Sequence, residues 1–241
     1  MFPDNFLRKN ILVFLSAILI SCASTEEAGN VDKATAHYQI GLSYYNEDKI
    51  QMAYIEFQKA IEFNPKNKDV FNLIGIIHLL NFEDYQKAMD FFKKAIKIDP
   101  KFSEAHNNLG RAYEKMGRFN DAIDAYKKAA SNTMYERPEK AYNNLGRLYY
   151  RLGRYDEAIA GYSDALRRVN DFYPAYYGLA LCYNAKGYYG DAATAINRAI
   201  ELDPLYKGDR EKAVEDLEGK KIIASEEEQK DISNFLEILR Y

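Results

Sequence analysis

Residues 139–172 read EKAYNNLGRLYYRLGRYDEAIAGYSDALRRVNDF, and the order of small and aromatic residues in this stretch decides the fold. Tyr142, Leu145-Gly146, Tyr149, Ala158, Tyr162 and Ala165 recur at helical spacings. Gly153 stands between two amphipathic halves, where a helix would end on a residue of positive φ. The stretch therefore reads as two helices folded into a hairpin with an apolar face that it cannot cover alone. The same order returns along the chain at intervals of about 34 residues, so neighbouring hairpins can cover one another.

Working outward, 34–67 supplies His37, Ile40-Gly41, Tyr44, Ala53, Phe57, Ala60 and Pro65. Residues 68–102 supply Phe71, Ile74-Gly75, His78, Ala88, Phe92, Ala95 and Pro100, with one extra residue in the turn at 81–84. Residues 103–136 supply His106, Leu109-Gly110, Tyr113, Ala122, Tyr126 and Ala129, and 173–206 supply Tyr176, Leu179-Ala180, Tyr183, Ala192, Ile196, Ala199 and Pro204. With 139–172 these make five units, and their signature resembles the tetratricopeptide repeat over about 34–206. That resemblance implies an all-α, right-handed superhelical solenoid of helical hairpins. The small residues at Gly41, Gly75, Gly110, Gly146 and Ala180 are expected to admit close helix approach, and the aromatics to fill the space between hairpins.

After Pro204 the signature stops, and 207–241 read as C-terminal capping helices. Ser225 and Glu228 form a capping box, and Ile232, Phe235, Leu236 and Leu239 form one apolar stripe. This suits a cover for the last hairpin; a helix that docks on a partner is the alternative.

The beginning of the chain reads as an address. Arg8 and Lys9 precede an apolar run over 11–20, too short to span a bilayer as a mature helix. Leu19-Ile20-Ser21-Cys22 resembles the bacterial lipobox, which implies a lipoprotein signal peptide over 1–21, lipidation of Cys22 and a polar tether over 22–33. Ordinary signal cleavage beside an incidental cysteine is the competing reading. With Ala23 after Cys22, the resemblance implies the outer membrane as the destination. Cys182 is then left without a partner and reads as a buried small hydrophobe, a reactive thiol being the alternative.

Lys+Arg 33 against Asp+Glu 36 leaves a net charge of −3, so no chain-wide basic field exists to hold nucleic acid. The chain carries 21 Tyr and 13 Phe without Trp, which suggests packing positions with one wet edge. His37, His78 and His106 all fall on signature packing positions and read as core histidines. With no phosphate loop, metal-ligand spacing or nucleophile motif, we expect no catalysis, no metal, no small-molecule substrate and no cofactor beyond the covalent lipid on Cys22.

In repeats of this kind the faces of the first helices not used for packing line an inner wall. Those positions place Tyr38, Leu42, Tyr45, Ile76, Leu79 and Leu80 in an apolar first part, with Asn72 on the same wall, where they are expected to expose a patch that binds a partner. Asn107, Arg111, Asn143 and Arg147 mark a polar, basic middle suited to an acidic peptide. The alternative is that the Asn and Arg residues serve hairpin packing.

The lipobox, short tether, five repeats and an irregular connection at 129–138 leading into Asn143-Asn144-Leu145-Gly146 resemble the type IV pilus biogenesis lipoproteins, the pilotin family. Tyr38-Gln39-Ile40-Gly41-Leu42 is similar too. The resemblance implies an outer-membrane lipoprotein on the periplasmic face that holds the pilus secretin, a protein partner, without catalysis. An adaptor recruiting cell-wall enzymes is the rival reading.

Overall fold

The computed structural model describes residues 29–132 and 136–240. Cys22, the expected signal segment 1–21 and the middle of the irregular connection, 133–135, lie outside the described residues. Among those described, every regular element is an α-helix: α1 (29–46), α2 (Ile50–Phe63), α3 (Lys68–Leu80), α4 (Tyr85–Ile98), α5 (Ser103–Lys115), α6 (Phe119–Ser131), α7 (Pro138–Arg151), α8 (Tyr155–Arg168), α9 (Tyr173–Ala185), α10 (Tyr189–Leu202), α11 (Arg210–Ile223) and α12 (Glu226–Ile238). The chain forms two compact units, one up to Pro100 and one from Lys101 onward.

Local chemistry sets the boundaries of these helices. Asn67 caps α3 by accepting from the amides of Asp69 at 3.1 Å and Val70 at 3.2 Å, and Asp84 caps α4 by accepting from Lys87 N at 3.1 Å. Pro138 and Pro174 stand in the first turns of α7 and α9, where a missing N–H costs nothing. Gly117, Gly153 and Gly187 end α5, α7 and α9 with φ of 71°, 71° and 76°. In the longer turn after α3, Glu83 takes the positive-φ place at 52°. The helix α1 begins at 29, inside the stretch expected as tether, where the Lys33 ammonium lies 5.3 Å from the centre of the Phe63 ring, and its first buried residue is Ala34.

The first unit is built round Ala53, Phe57, Ala60, Val70, Ile74 and Ile77. The second has a continuous core that runs from Ala122 and Tyr126 through Leu148, Tyr162, Cys182 and Ile196 to Leu217 and Ile238. Within it α6 packs on α7 and α8 on α9, as stacked hairpins require. Cys182 is fully buried in this core, and burial pushes its thiol up to about 12, which keeps it protonated and inert.

The signature glycines turn out to serve the interior of each hairpin. A Cβ at Gly41 would lie 2.6 Å from Phe57, at Gly75 2.5 Å from Phe92, at Gly110 2.6 Å from Tyr126 and at Gly146 2.9 Å from Tyr162. In every case the aromatic ring of the second helix lies on the backbone of the first. Tyr162 is also pressed by the next hairpin, where a Cβ at Gly178 would approach its ring to 2.1 Å. The fifth unit exchanges both partners together: Ala180 replaces the glycine and Ile196 the aromatic, and both are buried. A methyl group is admitted where the opposing side chain is smaller.

This reciprocity predicts the behaviour of a pair of substitutions. Gly75→Ala should lower stability to urea by about 1–3 kcal/mol, because the new methyl forces Phe92 out of place. Adding Phe92→Ile should recover part of that loss, although Phe92→Ile alone is itself destabilising. A double-mutant cycle read from urea midpoints measures the coupling.

Candidate interaction groove

In the first unit, Tyr38, Leu42 and Tyr45 on α1 lie against the core and are half-buried, and Ile76 on α3 is likewise half-buried. Leu79 is only 3% exposed and Asn72 is buried, so these two are not part of a free apolar surface. Placing Leu79 in an exposed patch was therefore incorrect: its side chain is withdrawn into packed surroundings, while the neighbouring Leu80 and, on α1, Ile40 stay exposed. The patch that remains is smaller than the sequence suggested.

The histidines of this unit also separate. His37 is part-exposed, its Nδ1 2.6 Å from Glu56 Oε2 and its ring stacked on Phe63. That removes it from the core, where its position in the repeat had placed it. His78 is buried in an aromatic box, stacked on Phe91 at 5.4 Å between ring centres and edge-on to Tyr54 and Phe82. Neither ring nitrogen finds a hydrogen-bond partner among the described residues, and burial pushes its pKa below the usual range. His106, in the second unit, is half-buried.

In the second unit the first helices α5, α7 and α9 lie side by side and present their groove-facing residues together. The four residues expected there are engaged in different ways. Asn107 accepts from Asn144 Nδ2 at 3.0 Å, which ties α5 to α7. Arg111 is half-buried. Arg147 donates to Glu114 Oε2 at 3.1 Å. Asn143 keeps its Oδ1 buried without a hydrogen-bond partner among the described residues. Glu114 is the centre of the arrangement, because it also accepts from Tyr126 OH at 2.9 Å and from Arg151 Nη1 at 2.8 Å. A buried carboxylate with three donors holds α5, α6 and α7 in register.

The outer edge of this network meets the end of the chain. Arg151 Nε donates to Glu227 Oε1 at 2.6 Å, Tyr150 OH donates to Asp231 Oδ1 at 2.7 Å, and the Tyr177 ring meets Phe235 at 5.5 Å and 68°. Glu227, Asp231 and Phe235 recur every fourth residue, so they form one stripe along α12. Beyond them Ile238 and Leu239 are buried, and Arg210 donates to the Leu239 carbonyl. The helix α12 thus packs on α9, α10 and α11 and reaches back to α7. It covers the last hairpin as expected, with the Ser225 amide donating to Glu228 at 2.9 Å, but it also lies in the groove. A cleft of about 710 Å³, open to solvent, remains beside it, lined by Lys115, Asn143, Arg147, Tyr173 and Asp231 among others.

Burial raises the Asp231 carboxyl above its ordinary range, and the hydrogen bond from Tyr150 opposes that. The Tyr150 hydroxyl is pushed up by burial and by the Asp231 carboxylate it faces. Repeat counting puts Glu114 and Tyr150 on the inner wall, but sequence reasoning missed Glu227 and Asp231 and the network that joins all four. The available signal was charge: carboxylates four residues apart on one helix, and arginines four apart at Arg147 and Arg151 on another. No group of three or more His, Cys, Asp and Glu side chains that could hold a metal ion occurs among the described residues, and no helix there is long and apolar enough to cross a membrane.

Hairpins whose first helices line a groove able to hold a helix define a scaffold for protein segments. The chain belongs to the tetratricopeptide repeat family, whose sequence profiles match 34–67, 79–133, 107–171 and 143–207, well over half of the chain. It is similar to a lipoprotein NlpI homologue of Haemophilus influenzae, 27% identical over 115 residues, which is 48% of this chain and 35% of that relative. The chain therefore matches about a third of the length of that curated relative. Its fold is similar to that of Pseudomonas aeruginosa PilF, with TM-score 0.68 and 18% identity over 88% of this chain and 93% of the other. The fold is also similar to PilW, described as a widely conserved type IV pilus biogenesis factor, with TM-score 0.67 and 20% identity over 83% and 90%. At these identities the likeness to the solved structures concerns the fold.

Two further outcomes follow from the buried polar groups. Glu114→Ala should cost about 1–3 kcal/mol in urea unfolding, chiefly because the buried Tyr126 hydroxyl loses its acceptor, whereas the part-exposed arginines can turn to water. Adding Tyr126→Phe should therefore cost less than Tyr126→Phe alone. For His78, the unfolded chain takes up a proton as pH falls through the ordinary value of 6.5 while the folded chain resists it. Stability should fall from about pH 7 towards pH 5, and His78→Phe should make that loss shallower, as urea midpoints across the range would record.

Proposed function

We propose that this protein is an envelope lipoprotein, anchored through lipid on Cys22 at the periplasmic face of the outer membrane, that holds a segment of the type IV pilus secretin while the secretin assembles. The observation that carries this reading is the extent of the likeness to PilF and PilW, which takes in more than four fifths of this chain and nine tenths of each of those proteins. The lipobox, the tether and the irregular connection at 129–138 support it from the sequence. No chemistry is asked of the repeats: recognition rests on half-exposed Tyr38, Leu42, Tyr45 and Ile76 in the first unit and on the arginine-bearing groove of the second. A covalent lipid would be the only added group, and a single acyl chain binds membranes weakly, so stable anchoring calls for several.

A second reading is favoured by the similarity to the lipoprotein NlpI homologue. On that reading the same anchored scaffold recruits cell-wall enzymes or another envelope complex.

Deletion of the gene in its host bacterium separates the two. The secretin reading expects heat-resistant secretin multimers to disappear from unheated outer-membrane extracts, and expects them to be restored by the wild-type gene but not by Cys22→Ala. Multimers at wild-type levels after deletion would falsify the secretin role, and restoration by Cys22→Ala would remove the anchor from it.

A further inference from the structure

Helix α12 is held in the second unit by an apolar edge in which Ile232, Phe235 and Leu236 are only partly buried against the core. Of its residues and the one that follows, only Ile238 and Leu239 are buried. The contacts towards α7 are polar and lie partly in water, the Glu227 side chain being 61% exposed and Arg151 37%. Exposed pairs of this kind each contribute about 0–1 kcal/mol. The connection to α11 is short, Ala224-Ser225, and the residues before it, Ile222 and Ile223, stand in solvent at 81% and 88% exposure. Nothing apolar pins that joint. A cleft of about 710 Å³, open to solvent, lies between α12 and the residues of α7 and α9, so α12 does not fill the groove.

The contacts also have an order. Along one face of α12 come a carboxylate for Arg151, a carboxylate for the Tyr150 hydroxyl, an aromatic ring for Tyr177 and an apolar end. The groove is thus matched to a helix in both polarity and spacing, as in helix-in-groove recognition. Arg147, Arg151 and exposed Lys115 give the wall a basic character that suits an acidic helix.

We propose that α12 is an internal stand-in for a partner helix and holds the groove of the second unit closed. The partner presents an amphipathic helix of the same chemistry: two carboxylates four residues apart, an aromatic ring four residues further and an apolar pair one turn beyond. Binding then requires α12 to leave, so the free chain binds its partner more weakly than the groove itself would, by the fraction of molecules that are open. The half-buried Asp231 carboxyl, raised by its burial, adds to the cost of closure. This inference rests on the reading of the chain as a protein-binding scaffold and is independent of the secretin as its partner.

The test uses the full-length chain and a fluorescein-labelled peptide of residues 225–240 as the probe. Asp231→Lys with Phe235→Ala should unseat α12 and raise affinity for the peptide by about ten- to a hundredfold over wild type in fluorescence anisotropy. Introducing Arg151→Glu into that unseated chain should abolish binding, and a peptide carrying Glu227→Lys should restore it. The proposal is overturned if the unseated chain keeps its helical circular dichroism yet binds no more tightly than wild type, or if the reversed charges fail to compensate. Should the Phe235→Ala chain lose helical signal, Glu227→Gln with Asp231→Asn loosens the closure without emptying apolar space and must still raise affinity. Sedimentation of the wild-type chain at dimer mass, with α12 exchanged between copies, would equally overturn an internal closure. A failed secretin experiment leaves all of these outcomes unaltered.

Discussion

The contact on which everything else depends is an aromatic ring laid on a glycine backbone. Phe57 on Gly41, Phe92 on Gly75, Tyr126 on Gly110 and Tyr162 on Gly146 bring the two helices of each hairpin to a separation that no side chain on the first helix would allow. Interiors packed at crystal-like density leave little room for a change of even one methyl group. The fifth unit, with Ala180 and Ile196, shows that volume is conserved across the pair while identity is not. Once the hairpins have this fixed shape, stacking α6 on α7 and α8 on α9 sets the first helices of the second unit side by side and so creates its groove.

Tyrosine links this scaffold to recognition. Its ring supplies apolar bulk while its hydroxyl needs a partner, and in the second unit carboxylates meet that need repeatedly: Glu114 for Tyr126, Asp231 for Tyr150 and Asp203 for Tyr177. Glu114 is the most consequential of these, because the same carboxylate orders Arg147 and Arg151. Arg151 is thereby held between an inner and an outer carboxylate, Glu114 and Glu227. Packing and recognition share one network, so a change made for the fold is felt in the groove.

The groove residues illustrate how far a repeat register reaches. Asn143 and Arg147 line the cleft beside α12 while Asn107 is buried, and helix periodicity fixes which face each occupies. It could not say what each residue does there. Asn107 is used up by Asn144, which favours the packing role for that pair over peptide binding. Leu79 stands at the same repeat position as Tyr45 and Tyr150, yet it is buried where they are half-exposed. His37 and His78 likewise share a face of the repeat by pattern but differ in burial and partners, because Glu56 and Phe63 meet one ring and an aromatic box encloses the other.

By itself the sequence determined the all-helical class, the repeated hairpin pattern, the helix-ending glycines and the buried thiol, although α1 starts ahead of the expected first unit. These are short-range properties: each is written within about 34 residues and repeated, so local spacing carries it. The tertiary structure alone decided where the last helix goes. Its capping box and apolar stripe were legible, but its seat against α7 depends on pairs separated by 76 and 81 residues, Arg151 with Glu227 and Tyr150 with Asp231. No periodicity connects such residues, and only the stacking of the intervening hairpins brings their charges within hydrogen-bond reach.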